Sequence, residues 1–162
     1  MNWDEFYIGM CLHVSKKSKD KSTKLGAVIV GANHEVLSIG FNGFPRGVDD
    51  ELDRYHERPT KYLVTEHAER NAIFNCARQG IALEGTTMYL PFEPTPCARC
   101  ARAVIQSGIK QIIGTDVKFT GKGKQWDKDL ALALEMLDMA GIERTVVSVA
   151  GTELDIRGLN VE

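Results

Sequence analysis

Strand-like and helix-like hydrophobic patterns alternate along this 162-residue chain. A chain patterned in this way can bury its apolar faces only by packing helices against a sheet. Asn2 with Glu5 three residues on has the form of a capping box, and Trp3, Phe6, Met10 and Val14 then recur at helical spacing. Residues 25–30 and 35–41 are β-rich runs joined by Gly31-Ala32-Asn33-His34, which reads as a hairpin. Residues 42–62 carry Gly43, Pro45, Gly47 and Pro59 without sustained periodicity, and read as a long functional loop. Helical spacing returns at Glu66, with Ala68, Ala72, Ile73, Cys76 and Ala77 on one face and Gly80 placed to end the helix. A strand at 87–90, a helix at 98–107, a strand at 111–114, a helix that Asp127 caps and that runs to 140, and a strand at 145–149 complete the order. The expected architecture is a three-layer α/β/α domain over residues 1–162, with a mixed sheet of about five strands counted from these runs.

Length and charge narrow the partners. A chain of this size buries about two thirds of its unfolded surface in one core. Its longest apolar runs, such as 27–30 and 146–150, fall far short of the roughly 18 residues that span a bilayer. The first residues lack the basic and apolar segments of a secretory signal, so a cytoplasmic protein is expected, with its four cysteines as thiols or metal ligands. A net charge of −2 supplies no general attraction to a nucleic-acid polymer and favours a small-molecule partner. Lys16, Lys17, Lys19, Lys21 and Lys24 form a local exception that is either a solvated face or a phosphate contact.

Two short segments carry chemistry: His67-Ala68-Glu69 and Pro96-Cys97-Ala98-Arg99-Cys100. Each opens a predicted helix. Cys97 and Cys100, three positions apart, project from one face of a first turn and can grip one ion, and His67 can supply a third ligand. Three protein ligands leave one tetrahedral position for water, the pattern of a catalytic zinc, and helix N-termini favour the thiolates. Glu69 lies two residues past a ligand, where a carboxylate can shuttle protons without binding the metal. Cys11 and Cys76 sit on apolar helix faces and read as buried free thiols.

His-x-Glu followed by Pro-Cys-x-x-Cys resembles the cytidine deaminase superfamily. Residues 24–30, Gly40-Phe41-Asn42-Gly43-Phe44-Pro45-Arg46-Gly47 and His67-Ala68-Glu69-Arg70-Asn71-Ala72-Ile73 extend the resemblance to its deoxycytidylate (dCMP) deaminase branch, over roughly 18–150. The resemblance implies zinc-dependent deamination of a nucleotide, dCMP to dUMP, with Zn2+ held by His67, Cys97 and Cys100 and with Glu69 as the proton carrier. It also implies that Asn42 contacts the sugar and that Ala27 and Val28 wall the base pocket. Ala68 and Pro96 would meet the pyrimidine edge, and Ser18, Lys21 and Lys24 the phosphate. Some members hold a second, structural zinc in the loop after the Asn-Gly motif, where residues 42–66 here offer His56 and no cysteine, so one zinc per subunit is expected. A homo-oligomer is implied as well. Two rivals stay open: a deaminase of another cytosine nucleotide or of a purine, and a non-catalytic protein that uses zinc as a staple while binding nucleotides.

Overall fold

The computed structural model describes residues 1–118 and 124–154, the side chain of Lys124 apart; the last stretch of the expected 1–162 domain lies outside the described residues. The chain opens with α1 (Trp3–Ser15), held at its start by Asn2, whose side-chain oxygen accepts the Glu5 N–H at 2.9 Å. β1 (Gly26–Val30) and β2 (Val36–Phe41) follow, then two short helices, α2 (Asp53–His56) and α3 (Lys61–Val64). After these come α4 (Ala68–Gln79), β3 (Thr87–Tyr89), α5 (Ala98–Gln106), β4 (Gln111–Thr115), α6 (Lys124–Met139) and β5 (Glu143–Val147). The strands form one sheet in the order β2-β1-β3-β4-β5. β1 runs antiparallel to both neighbours, whereas β3, β4 and β5 are mutually parallel, so the sheet is mixed.

Strand alternation divides the core in two. Ala27 and Ile29 of β1, Met88 of β3 and Ile112 of β4 point to one side, where they pack with Ala72 and Cys76 of α4, Val104 of α5 and Leu137 of α6. Val28, Val30, Tyr89 and Ile113 point to the other and pack with Tyr7, Ile8 and Cys11 of α1. Burying each of the larger aliphatic side chains contributes about 1.5–3 kcal/mol, which makes these two layers the main source of stability. α4 lies unusually close to β2: a methyl group at Gly40 would collide with the Ala68 carbonyl and the Ala72 amide. Gly40 thus sets the height of α4, and of the residues at its N-terminus, above the sheet.

Several boundaries differ from the sequence reading, among them β5, which spans Glu143–Val147 rather than 145–149. The expected loop at 42–62 contains α2 and part of α3, four-residue helices too short to leave a periodic signal. α6 starts at Lys124 rather than being capped at Asp127, and Asp129 in its second turn reaches the start of α5.

Candidate metal centre

His67 and Cys97 occupy equivalent positions, the N-caps of α4 and α5, and both have extended backbones with ψ of 156° and 160°. The chain therefore turns sharply into each helix, and both side chains sit at the mouths of helices whose free N–H groups favour negative charge. Cys100 lies in the first turn of α5, on the same face as Cys97. Packing of α4 beside α5 brings the three together: His67 Nδ1 is 3.4 Å from Cys97 Sγ and 3.4 Å from Cys100 Sγ. All three donor atoms lie within 4.8 Å of one another, and among the described residues this is the group of donors that could hold a metal ion. Tetrahedral zinc with ordinary Zn–N and Zn–S lengths separates nitrogen from sulfur by about 3.6 Å, so the spacing and the donor chemistry both fit zinc.

Charge is unevenly shared within this group. The Cys97 thiol is pulled down to about 4, chiefly by its hydrogen bond with Cys100 and further by His67, against the effect of burial. Cys100 is pushed well up, first by its bond to the ionised Cys97 and then by burial. Burial favours neutral His67, but the Cys97 thiolate and the Glu69 and Glu66 carboxylates outweigh it and raise the imidazole to about 9. Glu69, 3% exposed in the first turn of α4, is raised mainly by burial, with the Cys97 charge adding to the shift. A carboxyl held above its usual range beside a metal pocket is suited to taking up and releasing protons there.

Hydrogen bonds from outside the group hold both helix starts. Asn42, 3% exposed, accepts the Ala68 N–H on Oδ1 at 2.9 Å and donates from Nδ2 to the Thr23 carbonyl at 3.2 Å. Arg70 donates from Nε to Glu66 Oε1 at 2.7 Å, and Asn71 donates to the Phe41 carbonyl at 2.8 Å. On α5, Asp129 Oδ2 accepts the Ala98 N–H at 2.8 Å, immediately after Cys97. Asp129 had no distinguishing signal in the sequence, since it is one of several acids in an amphipathic helix and its partner is a backbone amide 31 residues away.

The structure distributes the remaining expected site residues as follows. Ala68 and Pro96 are buried next to His67 and Cys97 in the chain, and Ala27 is on the α4 side of the sheet in the same cluster as Ala68. Val28 differs from Ala27: β-strand alternation turns its side chain to the opposite face, against Tyr7, Ile8 and Cys11. Ser18 packs against the loop that carries Asn42. Its hydroxyl, 6% exposed, donates to the Asn42 carbonyl at 2.7 Å and accepts the Asp20 N–H at 3.2 Å, which commits it to holding the loop. Lys21 is at the surface, paired with Asp53 at 3.4 Å, and Lys24 is half-buried. Cys11 and Cys76 are buried free thiols, as expected.

A layered α/β/α domain with two thiols, an imidazole and a buried carboxylate gathered at two helix N-termini defines the class of zinc-dependent deaminases. The profile of the cytidine and deoxycytidylate deaminase zinc-binding region matches residues 1–115, and the chain belongs to that family. It is 32% identical to the human deoxycytidylate deaminase over 148 residues, covering 88% of this chain and 78% of the human protein. It is 37% identical to an uncharacterised deaminase of Aliivibrio fischeri over 143 residues, covering 88% and 92%. Among solved structures, the dCMP deaminase of cyanophage S-TIM5 in complex with dCMP and dUMP superposes with a TM-score of 0.67 at 23% identity, covering 88% of this chain and 95% of that one. That likeness establishes the shared fold.

Proposed function

We propose that the protein deaminates dCMP hydrolytically to dUMP and ammonia. The observation that carries this reading is the placement of the buried Glu69 carboxyl in the first turn of the helix that presents His67 to Cys97 and Cys100. A staple that only stabilised the fold would have no use for that carboxyl, and structural zinc sites usually fill all four positions with protein ligands. The names of the relatives support dCMP as the base and tail.

His67, Cys97 and Cys100 would hold one zinc per subunit, and the metal when bound supplies the Lewis acidity that makes water acidic near neutral pH. Glu69 takes a proton from the attacking water and delivers it to ring N3 as the water oxygen adds to C4. It then passes the second proton to the exocyclic amine, so that the C4–N bond breaks and ammonia leaves. Asn42 would orient the sugar, since both its amide nitrogen and its carbonyl oxygen retain one further hydrogen-bonding position beyond Thr23 and Ala68. Ala27, Ala68 and Pro96 would border the base, and Lys24 would face the phosphate.

The reading extends to a cytoplasmic homo-oligomer acting on a free nucleotide rather than a nucleic-acid polymer. Free thiols suit a reducing compartment, the net charge is −2, and no described helix is long and apolar enough to cross a membrane. Exposed Leu132, Met139 and Val146 would be covered by another copy, which light scattering on a sizing column tests. The function itself is tested by ammonia release from zinc-replete protein over dCMP, CMP, dCTP, deoxycytidine, cytosine, guanine and adenosine. Preference for dCMP is expected; turnover of a purine alone would refute the substrate, and silence on every compound would refute the enzyme.

A further inference from the structure

The segment before β1 and the segment containing α3 are joined by an ion pair almost wholly out of solvent. Lys61 Nζ lies 2.8 Å from Asp20 Oδ1, with side chains 8% and 3% exposed, and it also donates to Ser22 Oγ. The same Asp20 oxygen accepts the backbone N–H groups of Ser22 and Thr23 at 2.9 and 3.0 Å, closing a tight turn. Lys19–Asp50 and Lys21–Asp53 tie the segment before β1 to the start of α2 and the loop ahead of it, nearer the surface, where solvent leaves such pairs little strength. Only the buried pair is placed to fix the register between the segments.

Desolvation offsets most of the attraction within a buried ion pair, so its main effect is on geometry rather than on net stability. Here the geometry leads to the metal centre. From the turn, the Asp20 N–H reaches Ser18 Oγ, Ser18 Oγ donates to the Asn42 carbonyl, and the Thr23 carbonyl accepts from Asn42 Nδ2. Asn42 Oδ1 then holds the Ala68 N–H, one residue from His67. The bonds thus run from the segment before β1 to Asn42, and from Asn42 to the first turn of α4.

We propose that Lys61 and Asp20 are positioning residues for the nucleotide pocket, setting where residues 18–24 sit over the N-terminus of α4 and hence how Asn42 and Lys24 face the substrate. The role rests on the deaminase reading given above. Neither residue belongs to the donor group, and the turn they hold meets Asn42 before it meets α4, so the pair is expected to act on binding of the nucleotide more than on the chemical step.

The test compares wild type, Lys61→Met, Lys61→Arg and Asp20→Asn by dUMP affinity in calorimetry and by steady-state kinetics on dCMP, each variant checked for zinc content. Lys61→Met, which leaves the Asp20 charge buried without its partner and frees the turn, is expected to weaken dUMP binding and raise KM by about tenfold or more. Its kcat should stay within about threefold and its zinc at the wild-type level, because the chemical step is untouched. Lys61→Arg, which keeps the charge, should recover most of the affinity. Wild-type dUMP affinity and KM in Lys61→Met, with only a lower melting temperature, would overturn the proposal, as would a kcat loss with KM unchanged. If Lys61→Met does not fold, Asp20→Asn decides the matter: it should show the weakened dUMP binding and raised KM with kcat and zinc unchanged, while Lys61→Arg stays near wild type. A wild-type protein that binds dUMP without turnover would refute the deaminase reading and leave the affinity series to judge the pair, and one that neither binds nor reacts would overturn both.

Discussion

The side-chain oxygen of Asn42 accepts the backbone N–H of Ala68 at 2.9 Å, linking the end of β2 to the first turn of α4 across 26 residues of sequence. Asn42→Ala would leave that buried amide without its partner and free the Thr23 carbonyl as well. A loss of about 1–3 kcal/mol of stability is expected for an orphaned buried donor. Urea unfolding measures it, and an unchanged midpoint would show that water replaces the asparagine fully.

Glu69→Gln preserves the shape of the side chain and removes its ability to carry a proton. Turnover should fall by about 10²–10⁴-fold, the usual contribution of a general acid–base group, while zinc stoichiometry stays the same. Stopped assays combined with metal analysis read both. Turnover close to wild type would remove Glu69 from its assigned role.

Asp129 holds the start of α5 from α6, and through that turn it orients the two thiol donors without touching them. Asp129→Ala removes a cap worth about 1 kcal/mol. Zinc affinity should fall by about 10–100-fold, the range seen when groups that orient metal ligands are lost. Competition with a chromophoric chelator measures this; equal affinity in the variant would mean that helix packing alone positions Cys97 and Cys100.

Acid should loosen the segment before β1. Burial alone would raise the Asp20 carboxyl, but Lys61 and the amides of Ser22 and Thr23 outweigh it and hold the group below its ordinary value. The stability it contributes is therefore complete above the unfolded value of about 3.9 and is lost as pH falls through the lower folded value. Asp20→Asn should show a shallower decline of stability over that acid window than wild type. Parallel slopes in thermal melts across the window would contradict this account.

The amino-acid sequence by itself determined the layers of this protein and the kind of chemistry at its centre. Apolar spacing of 2 and 3.6 residues marked all five strands and the four longer helices to within a few residues, since those periods follow from burying one face of each element. His67, Glu69, Cys97 and Cys100 were legible because their residue types are rare at such spacing and because each pair opens a helix. The tertiary structure alone decided what depends on separation in space. That Val28 turns away from α4, that Ser18 is committed to Asn42, and that Asp20 meets Lys61 across 41 residues are consequences of which sheet face and which loops come together. A lone aspartate or lysine carries no local periodicity, and its partner is chosen by packing over distances that no short sequence window contains.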